Sequence, residues 1–173
     1  MRVRPAEDAE VLCEGAVNLW INGGIYMAEI RKMQIADYDG IYNLWINTPG
    51  MGLNTADDSK DGIAKYLERN PDTCFVALKN NEIIGAILSG HDGRRGLIYH
   101  LAVKISEREQ GVASILLDHA TKALKNEGIN KIYIMVFKNN KTGNAFWEKR
   151  GFTIPNESIY RAKEIASIEH IDT

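Results

Sequence analysis

Apolar side chains recur along this chain with two periods, and the switches between them mark out the elements. Four short runs rich in β-branched and aromatic residues, Thr73 to Leu78, Glu82 to Leu88, Leu97 to Val103 and Lys131 to Phe137, are bounded by polar or glycine-containing segments and predict strands. Elsewhere the spacing lengthens to that of a helix. Ile41, Leu44 and Trp45 share one face of a first helix. Ile63, Tyr66 and Leu67 share a face of a second, which stops at Asn70-Pro71 because proline disfavours helical geometry in the residue before it. The strongest stripe is Val112, Ile115, Leu116, Ala120, Ala123 and Leu124, with His119 among them.

Turn chemistry joins these elements. Asn80-Asn81 suits positive backbone angles and predicts a hairpin, Asp92-Gly93 predicts a further turn, and Pro49-Gly50-Met51-Gly52 marks a loop. A strand at Ile30 to Lys32 opens the array, and strands at Gly151 to Ile154 and Ser158 to Ile165 are expected to close it. The sum is an α/β fold, a mixed sheet of six or seven strands with helices on both faces.

The first 26 residues stand apart. The string NLWIN occurs at Asn18 to Asn22 and again at Asn43 to Asn47, and each copy lies downstream of a strand-like start, Val3-Arg4-Pro5 and Ile30-Arg31-Lys32. Two copies are too few for a solenoid, so residues 1–26 read as an extension, either a partial duplication of the first strand and helix or sequence upstream of a natural start at Met27, ahead of a single domain over 27–173.

Composition narrows the partners. With 173 residues, 45% of them hydrophobic and 25% charged, one globular domain is expected. A formal charge of −2 without a basic stripe argues against a nucleic-acid binder, and no long uncharged apolar run suggests a membrane span. Cys13 and Cys74 form neither a disulfide pattern nor a metal-ligand spacing, and the acidic N-terminus does not resemble a secretory signal, so a cytoplasmic protein is expected.

The candidate chemistry begins at Arg108-Glu109-Gln110-Gly111-Val112-Ala113, between a strand and the strongest helix. Free amides at a helix start, with the helix dipole behind them, favour a phosphate or pyrophosphate, and Gly111 lets the backbone come close. No Gly-x-Gly-x-x-Gly follows a strand and no Gly-Lys-Ser/Thr is present, which disfavours dinucleotide and Walker-type sites. A second strand-loop-helix unit follows at Asn140-Lys141-Thr142-Gly143-Asn144-Ala145-Phe146-Trp147, ending in Gly151-Phe152.

Together, in this order and spacing, the two motifs resemble those of the GCN5-related N-acetyltransferase (GNAT) family, over roughly Glu29 to Ile165. Within it, Gly90 to Gly96 followed by Tyr99-His100-Leu101-Ala102-Val103 looks most like the small bacterial subgroup typified by YpeA. The resemblance implies a mostly antiparallel sheet whose central parallel pair, Leu97 to Val103 and Lys131 to Phe137, splays around an acyl thioester. It also implies acetyl-CoA as co-substrate, without a metal, and direct transfer of the acetyl group to a primary amine of a small molecule or a protein. Carried over residue by residue, Leu101, Ala102 and Val103 pair with the pantetheine arm. Arg108, Glu109, Gln110, Gly111, Val112, Ala113 and Ser114 surround the pyrophosphate, while Asn140, Gly143, Phe146 and Trp147 lie along the outer arm. Two chains pair through their last strands in many members, making a homodimer an open expectation.

Several residues depart from the family pattern. Trp147 stands where a tyrosine usually protonates the departing thiolate, Leu97 where a glutamate often lies, and Glu109 where glycine is common; Glu109 and Glu107 are expected to point outward, offset by Lys104 and Arg108. For proton handling the strand offers Tyr99 and His100, a phenol and an imidazole that strand alternation places on opposite faces of the sheet. His91, Asp92, Arg94 and Arg95 either shape the acceptor entrance or form a plain hairpin turn. His119 and His170 read as structural or solvated. Against the transferase stand two other readings, a catalytically silent acyl-CoA-binding module and a domain that has lost the cofactor.

Overall fold

The computed structural model describes residues 15–21, 24–155 and 159–173. Strands β1 (Gly15–Ile21), β2 (Gly24–Lys32), β4 (Phe75–Lys79), β5 (Glu82–His91), β6 (Gly96–Val103) and β7 (Ile132–Ile134) form one six-stranded sheet in the order β1-β2-β4-β5-β6-β7. Every pairing is antiparallel except β6 with β7. Helices α1 (Tyr38–Ile46) and α2 (Lys60–Arg69) cover one face, and α3 (Val112–Asn126) and α4 (Lys141–Lys149) the other. A separate two-stranded ladder joins β3 (Leu53–Asn54) to β8 (His170–Ile171).

Alternation along β4 and β5 divides the core. Phe75, Ala77 and Ile87 pack with Val112, Leu116, Leu117 and Ala120 of α3 and Trp147 of α4. Cys74, Val76, Ala86 and Leu88 pack with Ile41, Leu44 and Trp45 of α1 and Ile63 of α2. The α3 stripe is therefore a core face, and Gly85 sets its distance from the sheet, since a Cβ there would lie 3.0 Å from Leu116 Cδ1 and 3.1 Å from Val112 Cγ1. Ser59 starts α2 by accepting from the Gly62 amide at 3.0 Å, and Asn80 and Asn81 turn the β4–β5 hairpin at φ 52° and 63°.

Three expectations change. Neither 151–155 nor 159–165 forms a strand: Ile154, Ile159, Tyr160 and Ile165 are 87%, 80%, 74% and 96% exposed, with no sheet edge to bury them, and Ser158 lies outside the described residues. The sixth strand comes instead from the leader, where β1 pairs with β2 from Gly15↔Ile30 to Ile21↔Gly24. The expected start at Val3-Arg4-Pro5 lies outside the described residues. Asn18 to Ile21 are strand whereas the identical Asn43 to Ile46 are helix, so context overrides the local preference of NLWI.

Candidate active site

Pairing between β6 and β7 is short. It runs Gly96↔Ile132, Leu97↔Tyr133 and Ile98↔Ile134, after which β6 continues along β5 to Val103 while the chain beyond Ile134 leaves the sheet. A cleft of about 1010 Å³ opens at this fork, with Tyr99 to Val103 on one wall and Ile134 to Phe137 on the other. The run Lys131 to Phe137, predicted as one strand, is thus strand only at Ile132–Ile134. Beyond Ile98, the β7 side of β6 has no strand partner among the described residues and leaves an edge that an extended ligand can join.

At one end the cleft reaches the start of α3. Gly111 is its N-cap at φ 79°, and no side chain among the described residues caps the helix. Val112, Ala113 and Ser114 occupy its first turn, where amides have no intrahelical acceptor, and all three line the cleft. Arg108 Nε donates to Val103 O at 3.1 Å and ties the loop to the end of β6. Glu109, at φ 63°, is exposed and adopts the left-handed geometry that glycine takes without cost. Glu107 is balanced by Lys79 of β4, at 2.9 Å, rather than by Lys104, which pairs with Glu82 at 2.5 Å. Gln110 does not line the cleft.

Helix α4 forms the outer wall. Asn140 caps it, its Oδ1 accepting from Gly143 N at 2.8 Å, and a Cβ on residue 143 would meet Asn140 Nδ2 at 2.7 Å. Gly143 is therefore a packing glycine. Trp147 is 8% exposed, with Phe146 and Phe152 edge-on at 5.0 Å each, so its indole is packed into the core at this wall.

The other end holds Tyr99 and His100 on one face of the sheet. Leu88 opposes His100 but Ser89 opposes Ile98, so Tyr99 is an extra residue on β6 and the bulge breaks the alternation that would have separated the pair. Tyr99 meets Tyr66 of α2 edge-on at 5.7 Å, and His100 meets Trp45 of α1 at 4.8 Å. Burial, then Tyr160 and Asp57, raise the Tyr99 phenol above its ordinary value and keep it protonated near neutrality. His100 Nε2 lies 2.7 Å from Asp58 Oδ1, and both side chains are buried. The Pro49 to Gly52 loop closes this end: a Cβ on Gly52 would lie 3.0 Å from the Phe137 ring across the cleft. The C-terminal segment holds that loop, Thr173 accepting from Gly50 N at 3.2 Å and from Met51 N at 3.0 Å.

A model of the acetyltransferase (GNAT) family matches residues 38–152, spanning both helix starts and the fork. The chain belongs to the GNAT family. It is 33% identical to an acetyltransferase of Pectobacterium atrosepticum, over 70% of this chain and 84% of that one. To an acetyltransferase of Sodalis glossinidius it is 29% identical, over 79% and 95%. Its fold matches the paiA N-acetyltransferase of Thermoplasma acidophilum in complex with coenzyme A, at a TM-score of 0.66 and 19% identity, covering 84% of this chain and 99% of that one.

In this GNAT domain Tyr99, His100 and every carried-over residue except Gln110 line one cleft, although they come from β6, the α3 loop and α4. His91, Asp92, Arg94 and Arg95 do not. Asp92 Oδ1 accepts the Arg94 and Arg95 amides at 2.7 Å each, the geometry of a plain turn. His119 packs 5.4 Å from Phe75, and burial lowers its pKa. His170 lies exposed on β8, and burial pushes the Cys74 thiol up to about 12, leaving it inert. Among the described residues no His, Cys, Asp and Glu cluster could hold a metal, and no helix is long and apolar enough to cross a membrane. Sequence reading missed Asp58. Forty-two positions from His100 and next to a helix cap, it looks like an ordinary turn residue.

Proposed function

We propose that this GNAT protein moves an acetyl group from acetyl-CoA directly to a primary amine of a small molecule, peptide or protein. One observation carries the reading: a single cleft joins the uncapped, left-handed start of α3 to the buried imidazole of His100 along the open edge of β6. Acetyl-CoA supplies the activated thioester. The amides of Val112, Ala113 and Ser114 suit its pyrophosphate, and the edge of β6 at Leu101 to Val103 that β7 does not cover suits the pantetheine arm. The coenzyme A held by the Thermoplasma acidophilum protein of the same fold supports this assignment.

The chain's own groups then manage protons. A lysine-like ammonium, with a pKa of about 10.4, must lose a proton before its nitrogen can attack, and His100 takes it. The amine adds to the thioester carbonyl while a β6 amide near Leu101 stabilises the developing oxyanion. As the C–S bond breaks, Tyr99 gives its proton to sulfur and regains one from the attacking nitrogen. Amide and free thiol result, and His100 returns its proton to water. Trp147, an indole N–H without useful acidity, takes no part.

Thiol release is the test. Purified protein with saturating acetyl-CoA is assayed against polyamines, aminoglycosides and peptides bearing free α-amines or lysines, and products are verified by mass. Acetylated product from any acceptor class supports the proposal. Saturable acetyl-CoA binding without product from any of them would establish the catalytically silent module instead.

A further inference from the structure

Asp58 is a buried carboxylate that the reaction above does not use, and its surroundings are specific. It sits just before the α2 cap with its side chain 5% exposed. Its Oδ2 accepts from the Asn54 amide at 2.7 Å, its carbonyl accepts from Tyr38 Oη at 2.9 Å, and its Oδ1 faces His100 Nε2 at 2.7 Å. An ionised carboxylate only accepts, so the imidazole proton lies on Nε2. That leaves His100 Nδ1 as the lone-pair nitrogen, and Nδ1 is buried without a hydrogen-bond partner among the described residues. A buried acceptor left unpaired costs about 1–3 kcal/mol, so its retention in a cleft-lining residue points to a partner that arrives with the substrate.

We propose that Asp58 is the positioning residue of this site: it fixes His100 in the Nε2–H tautomer, with Nδ1 free to accept the proton of the incoming ammonium, and stabilises the imidazolium that forms. The inference rests on the acetyl-transfer reading. The ammonium N–H bond breaks, its proton bonds to Nδ1, and the electron pair stays on the amine nitrogen; no oxidant or further reactant is needed.

The other titratable groups around the ring are Tyr38 on α1, Tyr66 on α2, Cys74 just before β4, Tyr99 on β6 and Asp57 in the loop. Burial raises Tyr38, Tyr66, Cys74 and Tyr99, so all four stay neutral near pH 7. Asp57 is exposed and is felt at Tyr99. Asp58 is the one carboxylate among them in hydrogen-bond contact with the imidazole.

Asp58→Asn tests this without changing shape. The Asn54 amide still requires an acceptor, so the new amide oxygen is held there and its NH₂ group is presented to His100 Nε2, forcing the imidazole proton onto Nδ1. Long-range 1H–15N correlation spectra of the full chain, with His100→Gln to assign the signals, should show Nε2–H in wild type and Nδ1–H in Asp58→Asn. With the acceptor found in the amine screen, kcat/KM should fall about a hundredfold or more, and the acid limb of its pH profile should vanish. The double variant should be no slower than His100→Gln alone, and Asp58→Glu should recover part of the activity. Circular dichroism and melting verify that the variants fold. An Nδ1–H tautomer in wild type, or an Asp58→Asn protein as active as wild type, overturns the assignment while leaving acetyl transfer intact. A wild type that releases no thiol with any acceptor overturns acetyl transfer and the assignment with it.

Discussion

Replacing Trp147 by alanine separates a packing role from a catalytic one. The indole is 8% exposed, lies between two edge-on rings at 5.0 Å and belongs to the cluster that joins α3 and α4 to the sheet. A buried tryptophan removes roughly 200 Å² from water, worth about 5 kcal/mol at ~25 cal/mol per Å². The alanine methyl recovers part of this, whereas two lost edge-to-face pairs add about 0.5–1.5 kcal/mol each. A net loss of about 4–5 kcal/mol agrees with the range for large-to-small core substitutions. For a chain of this length each kcal/mol moves Tm by about 2–4 °C, so Trp147→Ala should melt roughly 8–20 °C below wild type. Differential scanning calorimetry reads this directly. Trp147→Phe, which keeps a ring, should recover more than half of the loss. A Tm within about 3 °C of wild type for the alanine variant would refute the packing role.

Two further outcomes follow from the same geometry. Glu109→Gly relieves a non-glycine left-handed residue: strain of about 1–2 kcal/mol is removed and roughly 0.5–1 kcal/mol of chain entropy is lost, leaving a gain of about 0.5–1 kcal/mol in urea unfolding. Removing the carboxylate beside the α3 amides should also tighten acetyl-CoA binding severalfold at low salt; unchanged stability and affinity would contradict both arguments. Asp37 governs acid sensitivity. Burial opposes ionisation there, but Arg31, bound through both guanidinium nitrogens at 2.7 Å, and the Gln34 amide hold the carboxyl below its ordinary value. A depressed carboxyl stabilises the fold above its unfolded pKa and loses that contribution as pH falls through the folded value. Stability should therefore decline below about pH 4, and Asp37→Asn should flatten that limb in pH-dependent melts.

The parts legible in the sequence are those set by local physics. Ile41, Leu44 and Trp45, the α3 stripe, Asn80-Asn81 and the uncapped Gly111 declare themselves through spacing or backbone angle, and the structure bears them out. What stayed hidden depends on partners distant in the chain. The Tyr99 bulge lies where β6 leaves β7 while still following β5, and no residue type announces it. Asp58 gains its importance from a ring 42 residues away. The tail has strand-like composition at Ile154 and Ile159 to Ile165 yet meets no edge, while NLWI is helix or strand according to what lies beside it.

The central claim is that the cleft at the β6–β7 fork holds acetyl-CoA by the amides at the start of α3. Isothermal titration of acetyl-CoA into wild type and Gly111→Trp tests it most directly, because a side chain forced onto that left-handed position obstructs the amides without removing a charge. Saturable binding by a wild type of unaltered circular dichroism, weakened about tenfold or more in the variant, is the predicted result. No binding by wild type, or equal binding by both proteins, would contradict the account.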